Sequence, residues 1–426
     1  MLLRHAATAV SCSDHRPSPP LAPAPAQDDE EDEMPPGFNF PDGICVDPDG
    51  HIFVADGGNH RIVRLDGSDN EFMTYAGGEA DGFEDGSAED ALFNGPTGVT
   101  ITPSGDLLVA DQENHCIRKV SSADGKVSTV AGCREEGFRD GPAAEAMFNC
   151  PTGVACDKHG NIFVVDGGNH RIRKVGADGT VSTLAGSGKK GYQDGAGAQA
   201  RFNYPGGIAT DKKGNVYVAD YGNHRIRMIS ADGNVKTLAG SGKQGNADGA
   251  ALAAEFSFPQ GLAVDPLSGD VLVADYGNEC IRMLSPETGI VSTVAGTGEP
   301  GFDDGDKATF NQPRGVACDG KGNVYLADRG NHAVRIISRE GAGRVTSTLA
   351  GFGQAVNTMP GNHEEDCADE CCLPAPMMRK LKSKRAVAEE AISDDEPAPP
   401  AGDGAQAKRK AASNFGALLH ADDTWG

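Results

Sequence analysis

The stretch that decides the fold runs from Asn203 to Gly240 and reads NYPGGIATDKKGNVYVADYGNHRIRMISADGNVKTLAG. The stretch from Asn149 to Gly186, NCPTGVACDKHGNIFVVDGGNHRIRKVGADGTVSTLAG, follows the same pattern with different side chains. The aspartate that ends the second apolar run recurs about every 55 residues, at Asp56, Asp111, Asp166, Asp220, Asp275 and Asp328. A repeat of this length indicates an architecture in which no unit can bury its apolar faces alone.

Each unit contains four short apolar runs separated by turn signals. In the fourth unit these runs are residues 207–211, 216–220, 225–229 and 235–239. Runs of this length, rich in Val and Ile, predict β-strands. Gly and Asn in the breaks KKGN, YGNH and SADGN are expected to supply the positive φ of tight turns. Because short loops make neighbouring strands antiparallel, each unit predicts a four-stranded meander.

The strand composition predicts how the meanders pack. IFVVD (162–166) and VYVAD (216–220) barely alternate, which indicates burial on both faces between neighbouring sheets. Phe93, Phe148, Phe202, Phe256 and Phe310 are expected to pack between blades. The sequence therefore predicts an all-β, six-bladed β-propeller of four-stranded antiparallel blades over residues 38–352. The predicted blades are about 38–77, 94–132, 149–186, 203–240, 257–296 and 311–351, and the tails 1–37 and 353–426 are predicted to be disordered.

The repeated signature P-x-G-[IV]-x-x-D, then G-x-[IV]-x-V-A-D-x-x-N-H-x-I-R, resembles the NHL repeat, which is named after an Asn-His-Leu triplet. In this sequence the triplet is Asn-His-Arg, at 59–61, 169–171 and 223–225. An extension, G-x-x-D-G-x-x-x-x-A-x-F, precedes later blades, for example at 82–93. It is more similar to the NHL modules of plants and algae than to those of animal ubiquitin ligases. The C-terminal NFGALLHADDTWG (414–426) resembles the lead-in to a BTB/POZ domain, which implies an effector domain beyond it.

The charge argues against a nucleic-acid partner. The net charge is −24; residues 1–37 hold two basic and seven acidic side chains, and residues 352–426 hold eight and thirteen, which leaves about −14 for the propeller. Nucleic-acid binding depends on Lys and Arg that neutralise phosphates. Eleven cysteines without the spacing of a disulfide framework indicate reduced, intracellular thiols.

The sequence has no membrane-spanning segment, and we expect a cytoplasmic protein. The tails bear on its location within the cell. Two basic clusters, 379–385 and 408–410, are typical of a nuclear-import signal, and a solvated linker is the alternative. The acid-free start MLLRHAATAVSCS fits a plastid transit peptide as well as an ordinary disordered start. His363 with the cysteines at 367, 371 and 372 permits a zinc site, but we expect a reduced tail.

Two sets of repeated polar residues are interpreted as framework. One histidine occurs in each of five blades, at His60, His115, His170, His224 and His332. Residues so far apart cannot converge on a single Zn²⁺, and each is expected to stabilise its turn with the neighbouring Asn. The repeated aspartates are expected to form a polar layer with Arg64, Arg118, Arg173, Arg227, Arg282 and Arg335.

Candidate functional positions are those at which the repeat differs from blade to blade. The residue between Pro and Gly at the start of each first strand is expected at the mouth of the central channel: Asp42, Thr97, Thr152, Gly206, Gln260 and Arg314. At the exit of the second strand, Gln112, Glu113, Tyr221, Tyr276 and Arg329 replace the glycines of other blades. Tyr and Arg are enriched at the energetic centres of protein interfaces.

Two functions from different classes fit a six-bladed propeller. A channel-centred metal-dependent hydrolase or lyase, such as a lactonase, needs several convergent oxygen or histidine ligands. Among the channel-mouth positions Asp42 is the one carboxylate, and Arg314 on the neighbouring blade is expected to pair with it. The sequence therefore favours a monomeric, non-enzymatic scaffold that binds a protein partner on the top face, with no catalytic residue, metal or cofactor.

Overall fold

Six antiparallel sheets surround a central channel in the computed structural model, which describes residues 37–66, 72–78, 80–340 and 343–351. The first strand of each sheet contacts the first strands of both neighbouring sheets, and this closes the ring. The predicted all-β, six-bladed propeller is confirmed. The segments for which we predicted disorder, import signals, a zinc cluster or a BTB/POZ lead-in lie outside the described residues, apart from Gly37.

Each blade has four main strands, counted outward from the channel. Blade 1 contains β1 (Pro41–Val46), β2 (Ile52–Asp56), β3 (Arg61–Leu65) and β4 (Phe72–Gly77), and blade 2 contains β5 (Pro96–Ile101), β6 (Leu107–Asp111), β7 (Cys116–Val120) and β8 (Val127–Ala131). Blade 3 contains β9 (Gly141–Pro142), β10 (Pro151–Cys156), β11 (Ile162–Asp166), β12 (Arg171–Val175) and β13 (Thr180–Ala185). Blade 4 contains β14 (Gly195–Ala196), β15 (Ile208–Thr210), β16 (Val216–Asp220), β17 (Arg225–Ile229) and β18 (Asn234–Ala239).

Blade 5 contains β19 (Gly249–Ala250), β20 (Pro259–Val264), β21 (Val271–Asp275), β22 (Cys280–Ser285) and β23 (Ile290–Ala295). Blade 6 contains β24 (Pro313–Cys318), β25 (Val324–Asp328), β26 (Ala333–Glu340) and β27 (Gly343–Ala350). The short strands β9, β14 and β19 come from the segment before their blade and pair outside its fourth main strand. Blades 3 to 5 therefore have five strands rather than the predicted four.

A single 3-10 turn joins the second and third main strands of every blade. These turns are Gly57–Asn59, Gln112–Asn114, Gly167–Asn169, Tyr221–Asn223, Tyr276–Asn278 and Arg329–Asn331, and a further 3-10 turn spans Gly197–Gln199. Glycine has positive φ at the other hairpin turns, as predicted, for example 86° at Gly214. In the YGNH turn the prediction is wrong, because His224 takes the left-handed conformation with φ 52°. In the described part of the chain, no helix is long and apolar enough to cross a membrane.

A buried phenylalanine before each blade packs between that blade and the preceding one. Phe202, for example, is fully buried in a cluster that joins Ile172 of blade 3 to Val218 of blade 4. Phe38, in a cluster with Tyr325 of blade 6 and Val54 of blade 1, is a sixth member of the set that the sequence pattern did not identify. Burial of each side chain contributes about 1.5–3 kcal/mol to packing between blades.

A buried arginine in the blade fastens the extension that precedes it. The Arg173 guanidinium donates to Asp166 at 2.6 Å, to Asp140 at 2.6 and 3.1 Å, and to two backbone carbonyls. The other oxygen of Asp140 accepts the N–H of Thr183 in the outer strand at 3.2 Å. Blades 2 to 6 share this arrangement, so the expected polar layer is present there and also fastens the extension.

Blade 1 departs from the polar layer. Arg64 was expected to join it but pairs with Asp66 at 2.9 Å near the surface. Val63 occupies the position of the buried arginine, and Arg61 instead bonds to Asp56 at 2.9 Å. The sequence before this blade also lacks the G-x-x-D-G extension that would supply the second carboxylate. The arginine and the extension are therefore absent together.

Candidate functional site

The ten predicted binding residues all line one cavity of about 640 Å³ on the top face, where the 3-10 turns and the starts of the first strands meet. They come from all six blades: Asp42, Thr97, Gln112, Glu113, Thr152, Tyr221, Gln260, Tyr276, Arg314 and Arg329. Asp42, Thr97, Tyr276 and Arg329 are buried and the other six are half-buried. The predicted top face is therefore a recess rather than a flat surface.

Glycines that line the central channel, each next to a variable position, bring the first strands close together. A Cβ on Gly98 would lie 2.8 Å from the carbonyl oxygen of Thr152, and a Cβ on Gly153 would lie 2.8 Å from that of Gly206. Any larger residue would push neighbouring blades apart. This close approach explains why the glycine after each variable position is constant.

Two of the variable positions also hold blades together, so they have a structural role beside the predicted functional one. The Thr97 hydroxyl of blade 2 donates to the Thr152 carbonyl of blade 3 at 3.0 Å. The Thr152 hydroxyl donates in turn to the Gly206 carbonyl of blade 4 at 2.9 Å. The repeat changes at these positions, but the threonines still bond to the next blade because a hydroxyl reaches the adjacent strand.

The predicted pairing of Asp42 with Arg314 is present, with Arg314 Nη1 2.6 Å from Asp42 Oδ1. Nε of Arg329 lies 3.6 Å from the same oxygen, too far for a hydrogen bond. The Arg329 guanidinium lies over the ring of Phe40, 4.7 Å from its centroid. The guanidinium groups of Arg314 and Arg329 therefore both approach the Asp42 carboxylate.

Aromatic side chains form an arc along blades 4 and 5. The ring centroids of Tyr221 and Phe258 are 4.9 Å apart, and those of Tyr221 and Tyr276 are 6.5 Å apart. Phe258 belongs to a set that the sequence reasoning missed: the residue before the proline of each first strand. Five members have side chains that line the cavity in addition to Gly95, namely Phe40, Cys150, Tyr204, Phe258 and Gln312. The sequence contained a signal, because this position has five different residue types among the six blades.

The histidine side chains bridge blades, and the backbone N–H of each histidine closes its own 3-10 turn. The residue before each proline has left-handed backbone, and its N–H points at the preceding blade. Nδ1 of His170 accepts the N–H of Tyr204 at 3.1 Å, and the same bond recurs at the other four histidines. In blade 5 the Glu279 carboxylate replaces the imidazole and accepts the N–H of Gln312.

Burial perturbs the titration of these bridging groups. It lowers the pKa of His170 to about 4, with a smaller effect from Lys190 and Arg171. The imidazole is therefore neutral at pH 7, as an Nδ1 acceptor must be. Burial raises the pKa of Glu279 to about 7, and the Gln312 N–H opposes that rise only in part.

A group of possible metal ligands lies away from the cavity. Among the described residues, Asp47, Asp49 and His51 in the turn after β1 place ligand atoms within 4.8 Å of one another. This turn is at the opposite end of β1 from Asp42, and His51 Nδ1 already bonds to Asp47 at 2.7 Å. It does not take part in the top-face site.

Comparison with known proteins agrees with the repeat. The NHL repeat profile matches residues 38–65, 93–120, 202–227, 256–283 and 310–337, and the profile of the teneurin NHL domain matches residues 131–195. NHL repeat-containing protein 2 of Gallus gallus is 32% identical over 351 residues, which is 73% of this chain and 48% of that protein. The chloroplastic protein SUPPRESSOR OF QUENCHING 1 of Arabidopsis thaliana is 29% identical over 321 residues, 70% of this chain and 30% of that protein.

The fold is also found among solved structures. A structural genomics protein of unknown function from Bacteroides thetaiotaomicron superposes with a TM-score of 0.55 at 19% identity, over 73% of this chain and 70% of that one. The chain spans about half the length of the vertebrate relative and a smaller share of the plant protein. Because these relatives come from animals and plants alike, similarity to plant and algal modules in particular stays a prediction.

Proposed function

Since the chain carries NHL repeats on a six-bladed propeller, we propose that it is a non-enzymatic scaffold that binds a protein partner in the top-face cavity. The observation that carries this proposal is the convergence of ten variable positions from six blades on one recess. The repeated residues build the blades, and the residues that differ line the recess, where Thr97 and Thr152 also join neighbouring blades. Its volume suits a few side chains of an inserted loop or chain terminus.

The chemistry of the lining supports a protein partner. Tyr221, Tyr276 and Phe258 offer apolar area at a small cost in side-chain entropy, and Arg314 and Arg329 offer donors. Tyr and Arg are enriched at the centres of protein interfaces. With about −14 on the propeller segment, a nucleic-acid partner would meet repulsion rather than attraction.

The alternative is a channel-centred metal-dependent hydrolase or lyase. It would need convergent ligands, but Asp42 is paired with Arg314 and Glu279 accepts the Gln312 N–H. These contacts favour the scaffold. Metal analysis of the purified full-length protein tests the alternative, because stoichiometric Ca²⁺ or Zn²⁺ that leaves when Asp42 is replaced by alanine would contradict the scaffold proposal.

The proposed setting is an intracellular one, cytoplasmic and nuclear, for a monomeric propeller. It is supported by the seven described cysteines, which are thiols rather than disulfides. Burial raises the pKa of Cys156 to about 11 and that of Cys318 to about 12, so these thiols are protonated and poorly reactive at pH 7.

Proximity labelling in cells tests the binding surface directly. Alanine at Tyr221, Tyr276, Arg314 and Arg329 is expected to remove the partners that the full chain labels. The matched control carries alanine at Leu267 and Ile290, which are 62% and 46% exposed and do not line the cavity. An unchanged partner list in a cavity variant with a wild-type circular dichroism spectrum would contradict the proposal.

A further inference from the structure

Arg329 is a buried cation whose hydrogen-bonding capacity is not used within the described structure. The residue is 9% exposed, and its Nε and Nη1 atoms are buried without a hydrogen-bond partner among the described residues. The nearest carboxylate oxygen, Oδ1 of Asp42, is 3.6 Å away and lies 2.6 Å from Arg314. The guanidinium instead packs over Phe40 in the cavity wall.

An unmade bond of this kind is costly. A buried donor without a partner costs about 1–3 kcal/mol, and more when it is charged. Among the described residues, each of the six other buried arginines bonds to at least one carboxylate. At the channel mouth two guanidinium groups share the one carboxylate of Asp42, so Arg329 has no carboxylate of its own to bond to. An anion that enters the cavity would supply an acceptor.

The geometry of the group narrows the class of anion. A guanidinium presents its donors as a planar fork that matches the two oxygens of a carboxylate. A single uncompensated charge matches a monoanion rather than a phosphate chain. Tyr276 occupies on blade 5 the position that Arg329 occupies on blade 6, so the aromatic arc begins beside the guanidinium. The favoured ligand therefore carries an apolar or aromatic group next to its carboxylate.

We infer that Arg329 binds a carboxylate of the protein partner, from an acidic side chain or a C-terminus that lies next to an apolar residue. This inference rests on the proposed function, because the carboxylate is assigned to a protein. Tyr221, Phe258 and Tyr276 receive the apolar neighbour. Asp42 pairs with Arg314, and its negative charge weakens the attraction between the two arginines and a bound carboxylate. Asp42→Asn is therefore expected to strengthen carboxylate binding.

A pair of probes isolates the charge. N-acetyltryptophan has an aromatic group beside a carboxylate, and N-acetyltryptophanamide is its neutral counterpart. In saturation-transfer NMR and calorimetry with the full chain, the acid is expected to bind at least tenfold more tightly than the amide. Arg329→Gln should remove that difference, whereas Arg64→Gln, on the outer part of blade 1, should preserve it. Equal binding of the two probes, or a preference that survives Arg329→Gln, would overturn the inference.

Proximity labelling then separates this inference from the proposed function. If Tyr221→Ala with Tyr276→Ala removes the partners and Arg329→Gln does not, the scaffold stands and the carboxylate assignment is wrong. If neither variant changes the partners, both are wrong. If the acid binds through Arg329 but an excess of it does not displace a captured partner, the carboxylate belongs to a free small molecule and the assignment to a protein is wrong.

Discussion

Among single residues, we expect the loss of Arg173, as of its equivalents in blades 2 and 4 to 6, to destabilise the fold strongly. Its side chain is buried and bonds to Asp166 and Asp140, so leucine would leave the Asp166 carboxylate buried without its cation. Removing one partner of a buried ion pair costs about 3–5 kcal/mol. We expect Arg173→Leu to lower the free energy of unfolding by that amount in urea titrations followed by circular dichroism.

The matched control for this substitution is Arg64→Leu in blade 1. Arg64 pairs with the half-exposed Asp66, and surface pairs of this kind contribute about 0–1 kcal/mol. Similar small losses for both variants would show that the buried arginine layer does not stabilise the blades.

Residue roles were predictable where they depend on neighbours within the repeat. The pairing of Asp42 with Arg314 follows from their equivalent positions on adjacent blades. The histidine bridges were not predictable, because they depend on a left-handed residue of the next blade that turns its N–H toward the imidazole. Arg64 was assigned to the wrong role because it follows Asp56 by eight residues, whereas the buried arginines of the polar layer follow their aspartates by seven, and Val63 occupies that position in blade 1.

Among the elements, the extension before blade 3 depends on one carboxylate. Asp140 bonds to Arg173 and to the Thr183 N–H of β13, although its own side chain is 41% exposed. We expect Asp140→Ala to raise amide exchange at residues 137–147 and in β13 by about tenfold or more, since bonds to charged groups are worth about 1.5–3 kcal/mol. Hydrogen–deuterium exchange with mass spectrometry measures this directly.

Asp178→Ala is the control for the extension, because Asp178 lies in the exposed turn between β12 and β13 and bonds only locally. A rise in exchange that is equal in both variants, or that is confined to the turn, would contradict the anchoring role of Asp140.

The bridge between blades 5 and 6 is expected to respond to pH in the opposite sense to the histidine bridges. Burial raises the pKa of Glu279 to about 7 from an ordinary value near 4.5, so the folded state binds the extra proton between these values. Its contribution to stability is full below pH 4.5 and is lost as the pH rises through 7. Glu279→Gln keeps an acceptor for the Gln312 N–H without ionising, so it should stabilise the protein at pH 8 by on the order of 2–3 kcal/mol.

At pH 4.5 the same substitution should have little effect, and Glu287→Gln in the exposed turn of blade 5 should have little effect at either pH. Unfolding midpoints at the two pH values provide the measurement. A stabilisation that does not depend on pH would show that Glu279 keeps an ordinary pKa in the folded protein.

The sequence predicts the longer strands but not the shortest ones. Five-residue runs such as VYVAD have enough apolar residues to identify a strand. The two-residue strands β9, β14 and β19 contain Gly, Ala and Pro and have no pattern of their own. They pair with the blade because the aspartate just before them fastens the extension, a tertiary effect that periodicity does not contain.

For the whole molecule, the sequence predicted the ring and the convergence of the variable positions but not the depth of the recess. The depth depends on side chains such as Tyr204 and Phe258, whose direction follows from left-handed backbone before a proline. The same residues connect the site to the architecture, because their N–H groups hold the blades together while their side chains line the cavity. Binding and ring closure therefore share one set of residues.

The ring closes at the seam between blades 1 and 6, and this closure depends on contacts between the two blades. Each of these blades is a contiguous four-stranded sheet, so no strand is exchanged across the closure. The seam is held by the burial of Phe38, the Phe40 N–H bond to His332 at 3.3 Å, and the Asp42–Arg314 pair. A chain that begins at Pro41 would lose the first two contacts.

We expect the chain that begins at Pro41 to be less stable than a matched chain that begins at Gly37 by about 3–5 kcal/mol, the usual cost of removing a buried phenylalanine side chain. The loss should be concentrated at the seam, so hydrogen–deuterium exchange should rise first in β1 and β24, which face each other across it. Equal stability of the two chains, or a uniform rise in exchange over all six blades, would show that the ring closes without these residues. Because the same seam carries Asp42, Arg314 and Arg329, its opening should also abolish binding of N-acetyltryptophan.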